Sequence, residues 1–174
     1  MSVTKIDFAT LSLRDALDLA VLIEEEAHER YVELASQMDL HHTPDAAAFF
    51  RTMAANEAKH GQQLAARRAG MFQDAARSVT RAMLWDVEAP EYDEVRASMT
   101  QRQALEVALR AERKAHAFFV AALPELRDAE VRTLFEHLRD EEVEHERLVN
   151  AELARLPKEV PINPSDYEDE PVAQ

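Results

Sequence analysis

The sequence predicts an all-α protein, more specifically a bundle of four helices, and three observations support this prediction. Glycine occurs twice in 174 residues, 47% of the residues are hydrophobic, and many of these are alanine. Strands would need more β-branched and aromatic residues and more glycine at turns. Apolar residues also recur at intervals of three and four, the spacing of one helix face. A chain of this length most simply forms one domain with a sizeable core.

The first helix is predicted over residues 12–39. Ser12 and Asp15 resemble a capping box, in which two side chains satisfy free backbone N–H groups at the start of a helix. An apolar stripe at helical spacing then continues through Leu13, Leu17, Val21, Ala27, Tyr31, Leu34 and Met38.

The second helix is predicted over residues 44–69. Thr43 is placed to cap its N-terminus and Pro44 suits its first turn, whereas Gly70 is expected to end it. For the third helix, Thr100 and Gln103 offer another capping box.

The third helix is expected to end near Pro124, and the fourth to extend from about Asp128 to just before Pro157. Short connections make the first and second helices, and the third and fourth, antiparallel neighbours. The segment of about thirty residues between the second and third helices is long enough to cross the length of the bundle. We expect a short helix near residues 91–99 within it, a bundle domain over residues 1–156, and an acidic, proline-rich tail over residues 157–174.

Two Glu-x-x-His pairs are the most informative motifs, Glu57 with His60 and Glu142 with His145. Residues three apart share a helix face, so each pair directs a carboxylate and an imidazole to one point. The segments EEEAHERY, residues 24–31, and ERKAHAFF, residues 112–119, form a faint internal repeat in the helix preceding each pair. The two hairpins therefore look related, and each contributes half of a site.

Each half also carries a glutamate on its apolar stripe, Glu24 in the first helix and Glu112 in the third. Glu25 instead follows a line with Asp18 and Glu29, which predicts a solvated face for those three. Glutamate from two helices and Glu-x-x-His from two others is the ligand set of di-iron and di-manganese bundles.

Four buried carboxylates would repel one another strongly without cations, and two divalent ions would offset them. Iron or manganese suits oxygen and imidazole donors, while zinc or a mixed pair stays open. The predicted ligands are Glu24, Glu57, His60, Glu112, Glu142 and His145.

Three side chains near the lone glutamates are further candidates for contact with the metal centre. Tyr31 is placed to donate a hydrogen bond there, and His28 and His116 are each one turn beyond a lone glutamate. The histidines are either hydrogen-bond donors to the glutamates, extra ligands, or core residues bonded to a carbonyl or water. Glu141 and Glu144 are expected on a solvated face.

Composition excludes several function classes. A net charge of -14 leaves no basic face for nucleic acid, and the absence of cysteine excludes disulfides, zinc ribbons and iron–sulfur clusters. Neither a signal peptide nor a membrane span is visible, so a cytoplasmic protein is expected.

At these residues the chain resembles the ferritin-like superfamily, and most closely the rubrerythrin-type proteins, over about residues 12–156. The Glu24 to Tyr31 interval, the two Glu-x-x-His motifs and the long crossover carry the resemblance. It implies a di-iron centre in which His60 and His145 each bind one metal. Either Glu57 and Glu142 or the other two glutamates would bridge the ions.

The chain also departs from these relatives. It has no cysteine-ligated rubredoxin domain, so its electrons must come from a separate protein. Rubrerythrins carry another glutamate where this chain has Ala115, and bacterioferritins carry a haem-binding methionine where it has Ala58. The redox-linked exchange of ligands associated with that glutamate is therefore not expected, nor is haem.

These features predict an oxidoreductase that reduces hydrogen peroxide or O2, and we expect a homodimer. Alternatives are a ferroxidase that stores or hands on iron, a hydroxylase with an organic substrate, and a structural bundle without metal. Storage in a cage would need a large assembly, which a dimer would exclude.

Overall fold

A computed structural model describes residues 6–81 and 100–157. It contains four long helices: α1 (Leu13–Leu40), α2 (Pro44–Phe72), α3 (Gln101–Ala122) and α4 (Ala129–Arg155). No strand occurs in these two ranges. The predicted all-α, four-helix fold is therefore confirmed, with helix ends within a few residues of those expected.

The helix caps explain where three of these helices begin. The Ser12 hydroxyl accepts the Asp15 backbone N–H, and Thr100 and Gln103 form a complete capping box. In α4, the Asp128 carboxylate accepts two backbone N–H groups of the first turn. Each such cap stabilises its helix by about 1 kcal/mol. Thr43 occupies the predicted N-cap position of α2, but its hydroxyl donates to the Met38 carbonyl and accepts no backbone N–H of the helix.

The expected stop at Gly70 is wrong, because α2 continues to Phe72. A glycine inside a helix costs only about 1 kcal/mol relative to alanine. Phe72 offsets that cost by packing against the apolar core. The chain leaves the helix at Gln73, whose φ is 51° and whose N–H donates to the Ala69 carbonyl.

Asp18 is not on a solvated face, contrary to the sequence prediction. Its side chain is fully buried and accepts hydrogen bonds from Arg68 Nε and from the Ser78 backbone N–H. The same arginine donates to the carbonyls of Gln73 and Ala75. This buried ion pair therefore fixes the end of α2 and the start of the crossover to α1.

The start of the crossover continues along α1. Arg77 pairs with Glu25, and four residues later Arg81 pairs with Glu29. The chain thus returns from the end of α2 toward the C-terminal end of α1, where α3 begins. Residues 82–99, which include the predicted short helix, and the predicted tail after Pro157 lie outside the described residues.

Two apolar clusters fill the bundle at different heights. One includes Leu17, Ile23, Phe119, Phe135 and Leu138; the other includes Met38, Phe50, Leu105, Leu109 and Val149. Full burial of one such side chain stabilises the fold by about 1.5–3 kcal/mol. Within the described residues, no helix combines the length and the apolar character needed to cross a membrane.

Candidate metal centre

Between the two apolar clusters, the middle of every helix turns a carboxylate inward. Glu24 of α1, Glu57 of α2, Glu112 of α3 and Glu142 of α4 are each at most 5% exposed. Their helices can place them there because the apolar stripe continues on both sides of each glutamate. The structure therefore brings together the four carboxylates that the sequence predicted.

His145 is the imidazole at the buried side of this group. Its Nδ1 lies 3.2 Å from Glu57 Oε1, 3.3 Å from Glu112 Oε2 and 3.9 Å from Glu142 Oε2. Glutamates of three different helices thus surround a single ring nitrogen.

His60 is the matching imidazole on the more open side, with a side chain 20% exposed. Its Nδ1 lies 3.9 Å from Glu24 Oε2 and 4.0 Å from Glu57 Oε2. The rings of His60 and His145 are stacked, with centroids 5.5 Å apart and planes 8° apart. The two Glu-x-x-His motifs therefore meet face to face at one centre.

The described residues contain three groups whose potential ligand atoms all lie within 4.8 Å of one another. Two groups overlap at His145 and two at His60, so all three belong to one elongated centre. The groups are Glu112, Glu142 and His145; Glu57, His60 and His145; and Glu24, His60 and Glu141.

The rubrerythrin family model matches residues 15–153, which include the whole of this centre. The chain belongs to the rubrerythrin family. Its fold is also similar to the crystal structure of an uncharacterized conserved protein from Magnetospirillum magnetotacticum MS-1. That match has 29% identity and a TM-score of 0.70, and it covers 86% of this chain and 99% of the other. Among curated proteins, no significant match was found.

The family implies a di-iron site, and the donors of this rubrerythrin-family chain fit one. Glu24 Oε2 and His60 Nδ1 are buried without a hydrogen-bond partner, an arrangement that is costly unless a cation binds between them. Carboxylate oxygen and imidazole nitrogen are donors that iron and manganese accept. Two divalent ions would balance the four central carboxylates.

The electrostatics of the metal-free centre are those of crowded buried acids. Burial, together with the charges of Glu141 and Glu112, raises the pKa of Glu24 to about 7. Burial would also raise the pKa of Glu112, but the hydrogen bond and charge of His145 outweigh it and lower that pKa. The same contact raises the pKa of His145 against the opposing effect of its burial.

Tyr31 lies where the sequence predicted, beside the centre. Its buried hydroxyl donates a hydrogen bond to Glu112 Oε1. Burial, followed by the charge of Glu112, raises the pKa of this phenol well above its usual value. Tyr31 therefore keeps its proton at the edge of the centre and fixes one oxygen of Glu112.

His28 and His116 are both outside the three groups. His28 Nδ1 lies 2.8 Å from the Ala54 carbonyl oxygen, so its ring joins α1 to α2. His116 Nδ1 lies 3.6 Å from Glu146 Oε1, on a half-exposed surface between α3 and α4. His28 therefore matches the carbonyl-bonded alternative, whereas His116 lies beside a surface glutamate, which none of the alternatives anticipated.

Glu141 is the residue that sequence reasoning missed. It was expected on a solvated face, yet its side chain is only 21% exposed and its Oε1 lies 3.6 Å from His60 Nε2. The apolar stripe of α4 passes through Glu142, so stripe analysis could not select its neighbour. The one signal was the pair of adjacent glutamates in EEVEH. The corresponding segment of the first half, NEAKH, has Asn56 before Glu57 instead.

A close helix approach completes the geometry of the centre. A Cβ atom added at Gly61 would lie 3.3 Å from Glu24 Cβ, tighter than most such contacts. One of only two glycines in the chain thus allows α2 to approach α1 next to His60.

Proposed function

We propose that this protein is a di-iron oxidoreductase that reduces hydrogen peroxide or O2 with electrons from a separate donor protein. The observation that carries the proposal is the buried centre of four glutamates and two histidines in a rubrerythrin-family bundle. When bound, a pair of iron ions would supply two electrons to a small oxidant. Manganese, zinc or a mixed pair are the alternatives that metal analysis would test.

Each residue would have a distinct part in this chemistry. Glu24, Glu57, Glu112 and Glu142 would hold the ions and balance their charge, and His60 and His145 would supply one nitrogen to each side. The phenol of Tyr31 would hold a proton next to Glu112, where reduction of an oxidant consumes protons.

The cavity beside the centre favours a small oxidant. It lies between α2 and α4, has a volume of about 220 Å³, and is lined in part by His60 and Glu141. Pockets for organic ligands are commonly about 300–1,000 Å³. This size supports peroxide or O2 as the substrate over the bulkier substrate of a hydroxylase.

Glu141, the partly exposed acid at this cavity, gives one reason to keep iron oxidation as the second candidate. Glu141 lies between solvent and His60, and the net charge of -14 would attract Fe²⁺. In that case Fe²⁺ would be the substrate, and the oxidised product would be stored or passed on. We propose a homodimer, and native mass spectrometry would separate it from a storage cage.

The test begins with metal analysis and anaerobic loading with Fe²⁺, followed by mixing with hydrogen peroxide and, separately, with O2. Faster oxidation by peroxide than by O2, at two iron ions per chain, would support the peroxidase. Faster oxidation by O2 that continues over many added Fe²⁺ equivalents would support the ferroxidase instead.

Variants would test the assigned centre directly. We expect Glu57→Ala and Glu142→Ala each to lower the metal content below two per chain, and Glu106→Ala, at an exposed position of α3, to leave it unchanged. Two tightly bound ions in both centre variants would show that the assignment is wrong.

A further inference from the structure

We propose that Glu141 is a seventh ligand, which binds the metal ion on the His60 side and gives that side a third donor besides the shared Glu57. The inference rests on the two-metal centre proposed above. Glu141 lies outside both Glu-x-x-His motifs, yet its carboxylate joins Glu24 and His60 in one of the three ligand groups.

The number of donors differs between the two ends of the centre. At the His145 end, Glu112 and Glu142 complete a group of three buried donors. At the His60 end, Glu24 is the only other predicted ligand besides Glu57, which lies near both rings. Glu141 provides the third donor that this end otherwise lacks.

A second, independent observation indicates that a cation belongs at the His60 end. Glu24 is only 4% exposed, and its Oε2 has no hydrogen-bond partner. This oxygen lies 3.9 Å from His60 Nδ1, which is also buried and without a partner. A metal ion between Glu24 Oε2 and His60 Nδ1 would satisfy both atoms. Glu141 belongs to the same group of potential ligands, with one donor atom of each residue within 4.8 Å of the others.

The two oxygens of Glu141 have separate surroundings. Oε1 lies 3.6 Å from His60 Nε2, whereas Oε2 lies 3.2 Å from Nδ1 of the exposed His137. His137 is therefore a positioning residue that can hold the carboxylate with one oxygen turned inward. Both histidines and Glu141 also line the cavity, so this end of the centre is the one nearer to solvent.

The internal repeat explains why only one end gains the extra ligand. The residue before Glu142 is Glu141, and the residue before Glu57 is Asn56. An amide carries no negative charge and binds a divalent ion more weakly than a carboxylate does. The two hairpins thus repeat six ligands but not the seventh.

The test measures stepwise binding of Mn²⁺ to the metal-stripped full chain, by calorimetry and by the EPR signal of free Mn²⁺. We expect the wild type to bind two ions. Glu141→Ala should weaken one of them by more than about 100-fold and leave the other unchanged, because loss of an indirect partner of a ligand already costs about 10–100-fold. A weakening of only about 10–100-fold would make Glu141 an indirect partner of His60 and overturn its role as a ligand. Glu141→Gln, which keeps the size and one oxygen, should weaken the same ion by less.

Glu144→Gln is the matched control, since it removes one charge from an exposed position of the same helix. It should leave both affinities unchanged, and His137→Ala should weaken the His60-side ion less than Glu141→Ala does. Circular dichroism would check that every variant remains folded.

The outcomes separate this inference from the proposed function. Two ions bound by Glu141→Ala and Glu141→Gln with wild-type affinity would overturn the role of Glu141 and leave the di-metal centre intact. Equal weakening by Glu144→Gln would reduce the effect to general charge and also overturn it. A wild type that binds no metal, or a Glu57→Ala variant that still binds two ions, would overturn the centre itself.

Discussion

The metal-free protein should lose stability as the pH rises through about 7, and Glu24 should be a main cause. In the folded chain, burial and the neighbouring carboxylates raise the pKa of Glu24 from 4.5 to about 7. The folded state therefore binds this proton more tightly than the unfolded state does. Its stabilising effect is complete below the unfolded pKa and is lost as the pH rises through the folded pKa.

The magnitude follows from the size of the shift. At about 1.4 kcal/mol per pKa unit, the change from 4.5 to about 7 corresponds to about 3 kcal/mol, most of it lost between about pH 5 and pH 8.5. Glu112 does not add to this slope, because a lowered carboxyl pKa acts below its unfolded value. The pKa of His145 is raised and that of His60 is lowered, so both histidines also affect how stability depends on pH. A substitution at Glu24 is therefore needed to isolate the contribution of Glu24.

Urea unfolding of chelator-treated wild type and Glu24→Gln at several pH values provides the assay. The variant is neutral at all pH values, so near pH 5 the two proteins should have similar stability, and near pH 8.5 the variant should be more stable by about 2–3 kcal/mol. Glu106→Gln, at an exposed position, should follow the wild-type curve. Parallel curves for wild type and Glu24→Gln would refute the reasoning, because Glu24 would then ionise normally in the folded chain.

Two further substitutions test other buried contacts by urea unfolding of the metal-free protein. Tyr31→Phe should lower the free energy of unfolding by about 1–3 kcal/mol, because it removes the hydrogen bond to the buried Glu112; an unchanged value would show that the bond adds no net stability. Arg68→Met should lower the free energy of unfolding by about 3 kcal/mol, because it leaves Asp18 buried without its cation. Arg77→Ala breaks an exposed ion pair and should lower it by less than about 1 kcal/mol. Equal costs for the two arginine variants would contradict this ranking.

The helices could be predicted from the sequence because their signals are local. Ser12 and Thr100 cap helices within three residues of themselves, and apolar stripes show which face is buried. The end of α2 could not be predicted in the same way. Whether Gly70 ends a helix depends on what Phe72 contacts after folding, and that contact is made with residues far away in the sequence.

Asp18 shows a second limit of the stripe argument. A charge outside the apolar stripe is usually solvated, and Glu29 in the same line is indeed exposed. Asp18 is buried because Arg68, fifty residues later, crosses from α2 to neutralise it. No periodic pattern within α1 contains that information, since the partner belongs to another helix.

Glu141 extends this argument to the centre itself. Adjacent residues on a helix point about 100° apart, so a helix in a bundle can direct one residue to the central axis and the next toward a neighbouring helix. On α4 these residues are Glu142 and Glu141, and the second meets His60 of α2. An apolar stripe distinguishes only a buried face from a solvated face, so it cannot identify a residue that points toward a neighbouring helix. The repeat therefore predicted a symmetric group of six residues, whereas the structure adds Glu141 next to His60, and the corresponding residue of the first half is Asn56.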